Sequence, residues 1–233
     1  MAESLVLNGN SSITKGTVIF EKGQPLQSTA LILKGRVIVQ GEGVRMTIGS
    51  GNFLGMCDVW KKEHSFTYVA LDDLVLFGLP MENEKQAALL LEQKPQYRGL
   101  LVTSLNFFYH DVFRVFGKLK TETEKVAEFV HQTYSRYQKL AEGAGLTAEK
   151  IAAMERLLNQ RMENYSLSEK ITYFIQCSKI PIEAQKNYYG ASAYVAQKQF
   201  EEQCAVLPQL VAGCRYYSDW LTRYSRIMIM DEK

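Results

Sequence analysis

The sequence lacks the features that mark membrane, secreted and nucleic-acid-binding proteins. Its most apolar stretch, residues 100–116, is interrupted by Asn106, His110, Asp111 and Arg114, which argues against a membrane span. The N-terminus has neither the basic start nor the long apolar core of a signal peptide. The formal net charge is +2, and no block of Lys and Arg reaches five residues. A broad surface for nucleic acid or anionic membrane is therefore not expected.

Residues that build reactive or metal-binding sites are also scarce. The four cysteines contain no Cys-x-x-Cys pair, and the three histidines lie far apart in the chain. We predict reduced thiols in a cytoplasmic protein, with a disulfide or metal role as the alternative, and we predict no metal site from the histidines. The sequence has no nucleophile motif, glycine-rich nucleotide loop or paired-histidine helix. It is therefore not expected to be an enzyme.

The first 80 residues or so carry the signals of short β-strands. Apolar and polar residues alternate over Val44–Ile48, and Gly41–Gly43 is typical of a hairpin turn between apolar runs. Glycines recur through the region at the spacing of tight corners. Many short strands with frequent turns predict a sandwich or barrel.

The pattern becomes helical after Pro80. Residues 81–93 predict a short helix, and Pro95 predicts the start of a long one that reaches about Ala141 and spans roughly 70 Å. Glu142–Gly145 is the clearest linker. Further helix starts are predicted at Thr147 (ending near Met162), at a Ser166–Glu169 capping box, near Pro181, after Gly190 and at Pro208.

Three segments of the β region carry a family resemblance. They are Gly16–Gly23, Leu31–Val39 and Gly51–Met56. Their order resembles the cyclic-nucleotide-binding domain of bacterial catabolite-activator-type (Crp/Fnr-like) regulators, over about residues 12–119. The resemblance implies a jelly-roll β-roll in which the last segment opens the phosphate-binding cassette. In that family a short helix faces the cyclic phosphate, an Arg binds the phosphate and a Glu accepts from the ribose hydroxyl.

The cassette of this sequence departs from the family pattern at both side-chain contacts. Met56 stands at the Glu position, and His64 followed by Ser65 stands where Arg-Ser is expected. We predict a degenerate ligand site made of Gly55, Met56, Cys57, His64 and Ser65. Three interpretations stay open: a structural remnant, a changed ligand with His64 as an anion contact, or ordinary cyclic-nucleotide binding. No cofactor is predicted, and a small anion or nucleotide-like molecule is the alternative ligand.

The long helix carries an apolar seam with 4-3-4-3-4 spacing, which is typical of a coiled coil. Its residues are Leu101, Leu105, Phe108, Val112, Val115 and Leu119. In the resembling family this helix pairs with its copy, so we predict a homodimer through this seam. The alternative is a helix packed on its own domain, which is favoured by Leu100, Phe107, Phe113 and Phe116 because they widen the apolar face.

The predicted fold class is α+β: an antiparallel β-roll over residues 1–95, a connecting helix over 96–142 and an all-α region over 147–233. The predicted function is that of a signalling or regulatory protein with a cyclic-nucleotide-binding-like sensor domain, which does not bind cAMP or cGMP in the usual way. One alternative is a transcription regulator with an atypical DNA-binding region. Residues 146–154 resemble the first helix of a helix-turn-helix, but no recognition helix follows, so DNA is not an expected partner.

The other alternative is a protein-binding scaffold with a vestigial roll. The C-terminal half is rich in tyrosine, so a protein partner is predicted for the helical region. The sequence closes on an apolar helical run at residues 227–233 with no clear stop signal. We therefore expect it to be the front part of a longer protein.

Overall fold

Eight strands form two antiparallel sheets in the N-terminal part of the protein. The computed structural model describes residues 6–145, 158–160 and 162–230, with side chains up to residue 226. The strands are β1 (Gly9–Ile13), β2 (Val18–Phe20), β3 (Ser28–Lys34), β4 (Arg36–Gly41), β5 (Val44–Gly49), β6 (Phe53–Leu54), β7 (Thr67–Ala70) and β8 (Leu74–Pro80). One sheet has the order β1-β8-β3-β6 and the other β2-β7-β4-β5. This pair of sheets is called the roll below.

Alternation of side chains places the core between the sheets. Along β5, Val44, Met46 and Ile48 are buried while the residues between them are exposed or partly exposed, as a period of two requires. The corner between β3 and β4 is Gly35, with a φ of 92°. A Cβ at this glycine would lie 2.6 Å from a methyl carbon of Leu74, so both the backbone angle and the space require glycine.

Five helices follow the roll in the described part of the chain. They are α1 (Glu84–Gln93), α2 (Pro95–Gly143), α3 (Glu169–Cys177), α4 (Ile182–Ala191) and α5 (Ala193–Met230). Asn83 caps α1, because its side-chain oxygen accepts from two backbone N–H groups, so this helix begins later than the predicted residue 81. The long helix from Pro95 is confirmed. Within the described residues, every element after Pro80 is a helix.

One predicted capping box and one predicted helix start are wrong, and one predicted helix lies largely outside the described residues. The N-cap of α3 is Ser168, which makes no side-chain capping bond, so Ser166 and Glu169 do not form the predicted capping box. Pro208 does not begin a helix, because it lies inside the 38-residue α5. Residues 146–157 and 161 of the predicted helix from Thr147 to Met162 are not described.

The roll and the helices share one continuous core. Tyr109 and Phe116 of α2 pack with Phe174 of α3 and Tyr217 of α5, and these four belong to the same cluster as the inner residues of the sheets. Helix α2 also carries the buried Asn106, which donates to Gln185 of α4 (2.8 Å) and accepts from Gln203 of α5 (2.6 Å). Because buried polar groups need specific partners, these bonds fix the alignment of three helices.

The apolar seam of α2 lies inside this intramolecular core. Leu101, Leu105, Phe108 and Val112 are at most 5% exposed, and Val115 and Leu119 are partly buried against the same cluster. The spacing therefore marks packing of α2 on the protein's own roll and helices, which corrects its assignment as a dimer seam. Two apolar faces that contact within one chain have the same periodicity as two that contact between chains.

The described helices include no candidate for a membrane-spanning segment. None of them, including the long helices α2 and α5, is both long and apolar enough to cross a bilayer.

Candidate functional site

The segment Gly51–Met56, which the resemblance assigns to the start of the phosphate-binding cassette, contains β6 and the two residues after it. Gly55 adopts a φ of 73° and is followed by a three-residue 3₁₀ turn, Met56–Asp58, called the cassette turn here. Met56 is 1% exposed and Cys57 is 8% exposed. Both belong to the shared core, and Cys57 also lines a small cavity beneath Leu207, Pro208 and Val211 of α5. The position that the resemblance assigns to a ribose-binding Glu thus carries a buried apolar side chain.

His64 fills the space in front of Gly55. Its ring stacks on Phe20, with the two ring centroids 4.3 Å apart and a 12° angle between the planes. A Cβ built on Gly55 would lie 2.8 Å from Cε1 and 3.0 Å from Nδ1 of His64, so the imidazole rests directly on the glycine.

The environment of His64 keeps it neutral. The side chain is buried, and Nδ1 has no hydrogen-bond partner among the described residues. Burial lowers the His64 pKa to about 4, because desolvation disfavours the imidazolium. The ring is then uncharged at pH 5.5 as well as at pH 7. A neutral ring offers an anion no charge, which weakens the interpretation of His64 as an anion contact.

Asp58 is a buried carboxyl that the sequence analysis did not single out. It is 1% exposed and ends the cassette turn. Its Oδ2 accepts from the backbone N–H of Ser65 at 3.0 Å and lies 4.0 Å from Nδ1 of His64. Burial raises the Asp58 pKa to about 6, because its effect is larger than that of the hydrogen bonds from Ser65, which lower the pKa. The sequence signal for this residue is a carboxyl three positions after Gly55. The family pattern specifies only the position directly after that glycine, so it does not include Asp58.

Ser65 and Cys57 complete the predicted set. The Ser65 hydroxyl accepts from Nζ of Lys61 at 2.8 Å, while its N–H is held by Asp58. Burial raises the pKa of the Cys57 thiol well above its usual range, so the thiol stays protonated at neutral pH. The structure thus brings Gly55, Met56, Cys57, His64 and Ser65 together in one place. In this arrangement Met56 and Cys57 pack into the core, and His64 and Ser65 are held by neighbouring groups.

Helix α5 covers the outer side of the cassette turn. Leu207, Pro208 and Val211 of α5 close a cavity of about 30 Å³ over Asp58 and Ser65. Nearby, the ring of Trp60 lies against Phe200 of α5, with centroids 5.2 Å apart. The hairpin turn between β4 and β5 is also in contact, because a Cβ on Gly43 would lie 2.8 Å from the carbonyl oxygen of Cys214.

A more open cleft of about 270 Å³ follows the edge of this contact. Its charged lining residues are Lys22, Glu42, Lys61, Glu63 and Arg215. Glu42 pairs with Lys22 of the roll and with Nη1 of Arg215 of α5, the latter at 3.2 Å. The Lys22 contact is the main cause of the lowered Glu42 pKa. Each is a partly exposed ion pair worth roughly 0–1 kcal/mol. Only the Glu42–Arg215 pair joins α5 to the roll, and it orients the helix more than it holds it there.

The cysteines and the other acidic groups form no metal centre in the part of the chain that is described. All four cysteines are free and buried. No group of three or more His, Cys, Asp and Glu side chains there is arranged to hold a metal ion.

Comparison with known proteins finds similarity only among solved structures. No family model and no curated protein matches the chain. An EAL enzyme in a cGMP-bound form is 23% identical over 30% of this chain and 20% of its own, with a TM-score of 0.28. The regulatory subunit of a cAMP-independent protein kinase A from Trypanosoma brucei is 21% identical over 33% of this chain and 30% of its own, with a TM-score of 0.30.

A third match is the N-terminal domain of a transcriptional regulator from Streptomyces coelicolor. It is 17% identical over 41% of this chain and 69% of its own, with a TM-score of 0.30. The chain covers less than a third of the length of the first two proteins. Identities and scores at this level assign no activity, ligand or partner.

Proposed function

We propose that the protein is a regulatory module whose roll, built like a cyclic-nucleotide-binding domain, is occupied by its own side chains. The observation that supports this is the His64 ring, which lies on Gly55 and stacks on Phe20 where a cyclic phosphate would bind. In this proposal the roll does not use cAMP or cGMP as its signal. It works through protein contacts, beginning with the contact it makes with its own helix α5.

The loss of nucleotide affinity follows from the side chains that replace the family's contacts. An imidazole cannot form the bidentate bonds that Arg makes with a phosphate, and the thioether of Met56 offers only a weak acceptor to a ribose hydroxyl. Removing a buried charged partner costs roughly 2–5 kcal/mol, which shifts a micromolar dissociation constant toward the millimolar range. A nucleotide would also have to displace the stacked His64 ring.

The second candidate function is that of a scaffold with a vestigial roll. The extensive contact between the roll and α5 favours it. Trp60, Gly43 and the cassette turn all meet α5, so this face of the roll already serves as a packing surface for a helix. We propose no enzymatic step and no DNA site. Residues 146–154, the only segment that resembles part of a DNA-binding element, lie outside the described residues.

Calorimetry tests the proposal. cAMP and cGMP are each titrated to millimolar concentration into the full chain at pH 7, with 5′-AMP as the non-cyclic control. We expect dissociation constants in the millimolar range or no measurable heat for all three, because Met56 and His64 supply neither family contact. A low-micromolar constant for either cyclic nucleotide, with none for 5′-AMP, would contradict the proposal.

A further inference from the structure

Helix α5 lacks one backbone hydrogen bond at the place where it covers the cassette turn. Pro208 lies within the helix and has no N–H, so the carbonyl of Cys204, four residues earlier, loses its helical donor. Pro208 lines both the small cavity over Asp58 and the open cleft beside it. A break in the hydrogen-bond ladder is where a long helix bends most easily. The stretch of α5 on the roll therefore contains its own hinge point.

Asp58 lies at the base of this contact. The ionisable or charged groups around it are Cys57, Lys61 and His64 beside the cassette turn, Tyr68 of β7 and Cys204 of α5. Glu42 lines the same cavity from the β4–β5 turn. The ammonium group of Lys61 binds the Ser65 hydroxyl, and His64 is neutral. No side chain described around Asp58 forms a direct ion pair with it within hydrogen-bond distance.

An ionised Asp58 under a closed α5 is therefore an incompletely compensated buried charge, which is unfavourable. Moving α5 away would expose the carboxyl to water and remove part of that cost. We infer that α5 is a latch on the roll, closed while Asp58 is protonated and loosened when Asp58 ionises. Such a latch does not require nucleotide binding, because it depends only on the contact between α5 and the cassette turn.

The direction of the pH effect follows from the burial of the carboxyl. Asp58 has a pKa of about 6 in the closed form, against 3.8 for an exposed aspartate. Closure is fully favoured below pH 3.8, weakens as the pH rises toward 6 and reaches its weakest level above 6. Two pKa units correspond to at most roughly a hundredfold change in the opening equilibrium. His64 rests on Phe20 and Gly55 of the roll and also lines the open cleft beside Pro208 and Val211. Burial lowers the His64 pKa, so any exposure of this ring favours opening at low pH, which is opposite to the effect of Asp58.

Hydrogen exchange followed by mass spectrometry tests the latch in the full chain. Protection factors are compared at pH 5.0 and pH 7.5 for peptides of α5 between Ala193 and Arg215 and for peptides of β3. We expect protection of the α5 peptides to fall by up to about tenfold at the higher pH, with β3 unchanged, because part of the change in the opening equilibrium has already occurred below pH 5.0. Asp58→Asn, which does not ionise, should abolish the fall. Asp72→Asn is the matched control, because Asp72 is an exposed partner of Arg36, and it should keep the fall.

Each other outcome overturns the inference. Equal changes in α5 and β3 would indicate a change in global stability instead of a latch. Protection of α5 that does not depend on pH would exclude control by Asp58. A pH effect that persists in Asp58→Asn would assign it to another group. If Asp58→Asn does not fold, the comparison of α5 with β3 in the wild-type chain still decides between a latch and its absence.

Discussion

Replacing Val112 by aspartate is expected to unfold the protein. Val112 lies on α2, is 0% exposed and belongs to the core shared by the roll and helices. A carboxylate there would be buried without a partner and would cost about 4 kcal/mol or more, a large part of the roughly 5–15 kcal/mol that stabilises a typical domain. Urea unfolding monitored by circular dichroism measures the loss, and light scattering at tens of micromolar gives the oligomeric state.

Leu140→Asp is the matched control for this substitution. Leu140 is on the same helix but 73% exposed, so aspartate there should change the free energy of unfolding by less than about 0.5 kcal/mol. A Val112→Asp chain that stays folded, and is a monomer where the wild type is a dimer, would restore the coiled-coil seam between two copies. Dimer formation through any other surface remains a prediction, and the same scattering measurement tests it.

Replacing Gly43 by alanine is expected to lower the free energy of unfolding by about 3 kcal/mol. Gly43 has a φ of 77°, which costs a non-glycine residue about 1–2 kcal/mol. The new Cβ would also lie 2.8 Å from the carbonyl oxygen of Cys214, so the turn and α5 must separate. Overpacking of this kind costs roughly 1–3 kcal/mol. Urea unfolding of the full chain measures the sum.

Gly16→Ala separates the two contributions. Gly16 has a φ of 85°, but a Cβ there meets nothing within 4 Å, so this variant carries only the backbone strain. We expect it to lose about 1–2 kcal/mol, with the remainder of the Gly43→Ala effect due to contact with α5. Equal losses in the two variants would show that α5 does not lie against the β4–β5 turn.

The sequence predicts those parts of the fold that depend on neighbours along the chain. The β-region, the long helix from Pro95 and the position of the cassette all have local signals in glycines, alternation and helix starts. The course of α5 has no such signal, because Pro208 normally indicates the start or end of a helix. Here the packing of α5 on α2 and on the roll outweighs the lost backbone bond.

The chemistry of the candidate site depends on contacts that the sequence does not display. The motif alone reveals that Met56 and His64 stand where the resemblance expects a Glu and an Arg. The stacking of His64 on Phe20 joins residues more than 40 positions apart, and the burial of Asp58 depends on α5, which is about 150 positions away. Both follow from tertiary packing, which also determines that the α2 seam faces its own chain.

The most direct test of the self-occupied cassette is a nuclear Overhauser experiment on the isotope-labelled full chain. The His64 ring should show cross-peaks to the Hα protons of Gly55 and to the ring of Phe20, and the Trp60 indole should show them to the Phe200 ring. These cross-peaks should persist when cAMP is added to millimolar concentration. A His64 ring without contacts to Gly55 and Phe20, or one displaced by micromolar cAMP, would contradict the account.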